Sequence, residues 1–175
     1  MESFVAWAGE QAGRYELVDG HAVALMTGAS RRHNLLALLL AASLLDALAE
    51  GPCRVYTGSQ LVRTGPLRGR APDVMVSCGP EDDERWENDA QYVLEILSPR
   101  TTSTDFSDKI TEYRRLPSIR QYLVLYPGEP RGQLRTATDL GWHEQDVSGV
   151  VEFAGVTLDL GAIHARADAK LGPRR

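Results

Sequence analysis

"YVLEILSPRT", residues 92–101, is an apolar run interrupted by a single acid. Tyr92, Val93, Leu94, Ile96 and Leu97 give the near-continuous hydrophobic pattern of a strand covered on both faces. Ser98-Pro99 stops it, because proline has no N–H to donate to a sheet ladder. Glu95 stands in the middle. A buried carboxylate costs several kcal/mol unless it is protonated, paired or bound to a cation, so this position requires a partner.

Outward from that strand, the chain reads as an α/β fold. "RYELVDGHAVALM", residues 14–26, is two strands joined at Asp19-Gly20, a strong hairpin signal. A long helix from about Ala29 to Glu50 is apolar nearly all round, which predicts burial by neighbours on several sides. "CRVYTG", "QLVRTG" and "APDVMVSC" follow as short strands, and the acidic stretch 79–90 reads as a mobile loop with no face to bury. After the Glu95 strand come several helix-capping residues in "TTSTD", then a helix from Phe106 to about Leu116 and the buried strand "IRQYLVLYP". Short antiparallel strands and a final short helix close the chain. The expected architecture is one domain, residues 1–175: a mixed β-sheet, a long helix packed on it, and a crossover helix joining the strands at 92–98 and 119–126.

Composition excludes several classes. Apolar content of 43% and charged content of 25% are ordinary for a globular chain. The apolar block 35–49 is broken by Asp46 and is too short for a bilayer span. The first residues carry early acids and no basic leader pattern, so a cytoplasmic protein without a membrane anchor is expected. In that compartment Cys53 and Cys78 read as two buried free thiols. No phosphate-binding glycine loop, dinucleotide turn, H-E-x-x-H or G-x-S-x-G elbow is present. The formal charge of −5 runs against net steering of a polyanion, although residues 63–70 and 109–115 are locally basic.

The partner of Glu95 has to come from another strand. In "APDVMVS", residues 71–77, Asp73 opens a Val/Met-rich strand behind a proline. Were the two strands neighbours, Asp73 and Glu95 would converge, and close carboxylates favour a cation between them. Oxygen donors suit Mg²⁺, Mn²⁺ or Ca²⁺ rather than zinc, and the backbone carbonyl of Ile96 could add a further donor. Lys109, about one turn into the next helix behind Asp105 as its cap, could orient water or stabilise charge on phosphate.

The order Pro72-Asp73, Glu95 in an apolar strand, then a lysine resembles the PD-(D/E)XK restriction-endonuclease-like superfamily. "YELVDGHAV", "PDVMVS", "LEILSPRT", Asp105-x-x-x-Lys109-x-x-x-Tyr113 and "YLVLYP" follow in the order of the Uma-type endonucleases of bacteria, from about Tyr15 to Pro127. The superfamily's usual lysine position is Leu97 here, and the resemblance implies that Lys109 has taken its place. Leu123 and Tyr126 stand where relatives tend to have an aromatic residue and an aspartate, and Gln121 and Ser118 replace a common glutamate and glycine.

The resemblance implies a Mg²⁺- or Mn²⁺-dependent endonuclease acting on DNA, with catalytic Asp73, Glu95 and Lys109 and metal ligands Asp73, Glu95 and the Ile96 carbonyl. Each residue has a plainer reading: a turn acid for Asp73, an ion pair with Arg54 or Arg70 for Glu95, a solvated helix lysine for Lys109. Glu16 reads by default as an exposed hairpin acid, with a supporting role implied by the family pattern. His33 is a capping or packing residue or a site residue, Asp105 a helix cap rather than a catalyst, and Arg31 and Arg32 solvated or phosphate-facing. The rival function is a catalytically inactive binding or interaction module that keeps the nuclease fold; another is a hydrolase of non-nucleic phosphoesters. A homodimer is expected, paired through "GQLRTATDL" and "GVVEF", because cutting both strands of a duplex calls for two sites.

Overall fold

The computed structural model describes residues 1–25, 30–80, 85–98 and 103–172, the side chains of residues 103–105 excepted. The central strand is β8, Tyr92–Ile96, and its neighbours set the architecture. It lies third from one end of a six-stranded sheet in the order β11-β10-β9-β8-β6-β3, where β3 is Arg54–Thr57, β6 Val74–Ser77, β9 Gln121–Leu125, β10 Arg131–Thr138 and β11 Gly141–Ser148. β8 runs parallel to β9, and the crossover between them is helix α3, Ser103–Arg115. β8 is antiparallel to β6.

The period-2 alternation of these strands divides the core. Val74, Val76, Leu94, Ile96, Leu123 and Leu125 face helix α2, Arg31–Ala47, and meet its buried Leu36, Leu40 and Leu44. Met75, Val93, Tyr122 and Val124 face the opposite way, towards Tyr113 of α3. Removing any of the fully buried leucines of α2 to alanine costs about 2–5 kcal/mol. Ser30 caps α2, its hydroxyl accepting from the His33 N–H at 3.1 Å.

A five-stranded sheet, β2-β1-β5-β4-β7, stands beside this one: β1 Arg14–Val18, β2 His21–Leu25, β4 Leu61–Gly65, β5 Arg68–Arg70 and β7 Trp86–Glu87. The β1–β2 turn is the expected one, with positive φ at both Asp19 (50°) and Gly20 (81°). Helix α1, Glu2–Gly9, hairpin β12–β13 (Val150–Phe153, Val156–Asp159) and helix α4, Leu160–Leu171, complete the chain.

Several expectations change. Cys53 and Cys78 are not free thiols but a disulfide. The β3–β6 register pairs Arg54 with Ser77, which puts the residues one position beyond, Cys53 and Cys78, directly opposite each other. The acidic stretch is not uniformly an exposed loop: residues 81–84 lie outside the described residues, but Trp86, Glu87 and Ala90 are buried because Trp86–Glu87 pairs with β4. Helix α2 is not covered all round, since Leu38 and Leu45 are 62% and 57% exposed. β10 offers no edge for dimer pairing, being flanked by β9 and β11, whereas β12 pairs with β13 along one edge only. Helix α3 begins at Ser103, so Asp105 falls within its first turn instead of capping it; the Asp105 side chain lies outside the described residues. No described helix is long and apolar enough to cross a membrane.

Candidate functional site

The register of β6 on β8 pairs Val74 with Leu94, so Asp73, one residue before β6, stands opposite Glu95. Both belong to the odd-numbered face that carries Met75 and Val93, the face turned towards α3. Residues opposite one another on an antiparallel ladder point the same way. Asp73 Oδ2 also accepts the Ile96 backbone N–H at 2.8 Å, which fixes the carboxylate at the end of the β8 strand. The Asp73 carbonyl accepts from Gly58 N–H at 3.1 Å, tying down its backbone.

Glu95 finds its cation on α3. Lys109 Nζ donates to Glu95 Oε1 at 3.0 Å, and each side chain is only 12% exposed. Neither Arg54 nor Arg70 is within ion-pair distance of Glu95; Arg54 lies towards Glu87, and Arg70 pairs elsewhere. Burial pushes the Glu95 carboxyl up to about 7, with Lys109 drawing it down and Asp73 and Glu16 pushing it further up. A carboxylate raised in this way among other acids is a feature of functional sites.

Glu16 does not point to solvent. It is 3% exposed, because β1 is covered on this side and paired with β5. Its Oε1 accepts the Ala71 N–H at 3.1 Å and lies 3.4 Å from Lys109 Nζ, while Oε2 accepts from Arg70 at 2.9 Å. The Lys109 ammonium therefore lies between Glu95 and Glu16.

His33, in the first turn of α2, reaches the same strand ends from the other side of the sheet. Its Nε2 is 3.1 Å from the Ile96 carbonyl and 3.1 Å from Asp73 Oδ2. The hydrogen bond with Asp73 raises its pKa above the ordinary histidine value, outweighing burial, which lowers it. Of the neighbouring arginines, Arg32 is not phosphate-facing: it pairs with Asp168 and the Pro127 carbonyl, fastening α2 to α4, while Arg31 is exposed.

Behind the acids lies a buried cluster that the sequence did not announce. Arg70 is 2% exposed and donates to Glu16 and, through Nε and Nη2, to Glu112 at 2.9 and 2.5 Å. Glu112 also accepts from Thr64 at 2.6 Å and Arg68 at 2.5 Å, and Arg68 reaches Asp19. The one sequence sign of this cluster is the Lys109-x-x-Glu112 spacing, which sets both side chains on one helix face.

Asp73, Glu95 and the Ile96 carbonyl are hard oxygen donors of the kind that hold magnesium or manganese, and His33 stands at the same strand ends. Among the described residues no three His, Cys, Asp or Glu side chains are already gathered as a metal cage. A site of this type does not need one: Mg²⁺ commonly takes one or two carboxylates with waters and phosphate oxygens. The donor set fits such an ion.

Comparison with known proteins gives three findings. A family model, Uma2, described as "Putative restriction endonuclease", matches residues 1–161. An uncharacterized protein of Synechocystis sp. is 29% identical over 129 residues, 71% of this chain. That match spans 66% of the relative's own length. In three dimensions the chain is similar to the crystal structure of "a putative nuclease belonging to DUF820" from Anabaena variabilis, with a TM-score of 0.72, covering 90% of this chain and 93% of that one. The identity there is 12%, so that likeness concerns the fold: a mixed α/β architecture.

Proposed function

The chain belongs to the Uma2 family, and on that premise we propose that it is a metal-dependent DNA endonuclease worked by Asp73, Glu95 and Lys109. The observation that carries the reading is the placement of two opposed acids and a lysine on one sheet face, with Lys109 Nζ 3.0 Å from Glu95.

In this reading Asp73, Glu95 and the Ile96 carbonyl supply the oxygen donors for Mg²⁺ or Mn²⁺. Such an ion, when bound, polarises the phosphate and lowers the pKa of a coordinated water. Lys109 orients the attacking water towards phosphorus and offsets the negative charge that develops on the phosphate oxygens. The water oxygen forms the new bond to phosphorus, and the bond to one deoxyribose oxygen breaks. That oxygen leaves as a hydroxyl after taking up a proton, and the other product is a phosphomonoester. His33, 3.1 Å from Asp73 Oδ2, holds that carboxylate in its orientation. Unaided phosphodiester hydrolysis is slow enough that the site must remove on the order of 20 kcal/mol of barrier, so positioning and charge have to act together.

Incubation of the purified protein with plasmid, linear and single-stranded DNA, with Mg²⁺ or Mn²⁺, tests the reading. Metal-dependent cleavage is expected, and intact DNA under every condition would overturn it.

A further inference from the structure

Lys109 has a choice of carboxylates. Its ammonium lies 3.0 Å from Glu95 and 3.4 Å from Glu16, and the stem that carries it is four flexible carbons. Glu16 is the more deeply buried acid, at 4% side-chain exposure against 12% for Glu95. A buried carboxylate without a counter-charge draws strongly on the nearest cation. Left to itself, Glu16 would compete for the lysine that the proposed reaction needs at Glu95.

We infer that Arg70 is the positioning residue that settles this competition: by neutralising Glu16 it leaves Lys109 to Glu95. The guanidinium is suited to the task. It is 2% exposed, it reaches Glu16 Oε2 at 2.9 Å, and its remaining nitrogens are held by both oxygens of Glu112. A rigid planar fork can serve two carboxylates at once, where an ammonium acts as a single point of charge. Glu112 lies three residues after Lys109 on α3, so the same arginine also fixes the helix from which Lys109 projects. Thr64 and Arg68 complete the hold on Glu112. The result is an alternating series, Glu95–Lys109–Glu16–Arg70–Glu112–Arg68, in which every buried acid has its own cation.

This inference rests on the nuclease reading for its catalytic consequence but not for its structural one, and the test separates them. Arg70→Gln is compared with wild type by steady-state cleavage and by a crystal structure grown without metal. Expected are a kcat lower by on the order of 10- to 100-fold, as for small misplacements of a catalytic group. KM should stay within about twofold, because Arg70 is 2% exposed and presents almost nothing to a substrate. In the crystal Lys109 Nζ should lie nearer Glu16 than Glu95. Adding Glu16→Gln to that variant removes the competitor and should return Lys109 to Glu95, with kcat rising above that of Arg70→Gln alone; loss of packing alone would not be rescued so. If Arg70→Gln does not fold, Arg70→Lys, which keeps the charge without the fork, should show the same displacement to a smaller degree. Lys109 keeping its 3.0 Å contact with Glu95 in a folded Arg70 variant would overturn the inference. Absence of cleavage by wild type would remove the nuclease reading alone, and the position of Lys109 would still decide the role of Arg70.

Discussion

The Lys109 ammonium lies 3.0 Å from Glu95 Oε1, although the two residues sit on different elements, a helix and the strand before it. The crossover returns α3 over the strand face that carries Glu95, and Leu97, two residues beyond Glu95, is apolar. Lys109→Ala should therefore abolish cleavage while leaving the affinity for Mn²⁺, measured by calorimetry, nearly unchanged. Full cleavage by the variant would show that Lys109 has no part in the reaction.

Acid should loosen the fold through Glu112. Burial alone would raise its pKa, but hydrogen bonds from Arg70 and Thr64, with the charge of Arg70, hold it below the ordinary value. A carboxyl lowered in the folded state stabilises the fold above its unfolded pKa, and that contribution is lost as pH falls through the folded value. Urea midpoints should therefore drop as pH falls below the ordinary glutamate pKa of about 4.3. Glu112→Gln should be less stable at neutral pH and show a flatter acid dependence. An unchanged slope in that variant would remove Glu112 as the cause.

How far this was legible in the sequence depends on whether a feature is local. The β8–α3–β9 crossover was, because a short apolar run, a polar helix and a second apolar run carry their own periods. Placing Asp73 and Glu95 on one face needed only that their strands be neighbours, and parity then did the rest. The disulfide was not legible, since two cysteines 25 residues apart declare nothing until β3 and β6 are known to pair. Glu16 was misplaced for a related reason. Alternation along β1 says which residues share a face, but only the docking of β5 and α3 says that this face is buried. The acidic stretch misled in the same way, because the Trp86–Glu87 strand is stabilised by β4 and not by its own composition.

The Cys53–Cys78 bond should contribute measurably to stability. For a separation of 25 residues loop closure corresponds to about 3.5 kcal/mol. In a chain of this size that corresponds to a fall in Tm of roughly 7–14 °C on reduction. Calorimetry with and without reductant measures it directly. A Cys53→Ser, Cys78→Ser variant melting with the oxidised wild type would show that the bond adds nothing.

Assembly should follow the unprotected edge. β11 is an edge strand bearing Glu144 and Asp146, charges that discourage pairing. β2 is one edge of the other sheet, with exposed Ala22, Val23 and Ala24 and nothing charged between them, whereas the two-residue β7 at the far edge is buried. A homodimer paired through β2 is therefore expected. Light scattering at micromolar concentration should give twice the chain mass, and Val23→Lys should halve it. A monomer at all concentrations would exclude this pairing.

The proposed cleavage requires Asp73 and Glu95 to hold one metal ion together. The most direct measurement is cleavage of supercoiled plasmid by wild type, Asp73→Asn and Glu95→Gln at equal concentrations, with Mg²⁺, with Mn²⁺ and with chelator. Wild type should nick or linearise the plasmid with either metal and leave it intact with chelator, and both variants, folded by circular dichroism, should leave it supercoiled throughout. Cleavage that survives chelator, or that persists in either folded variant, would contradict a shared metal ion at Asp73 and Glu95.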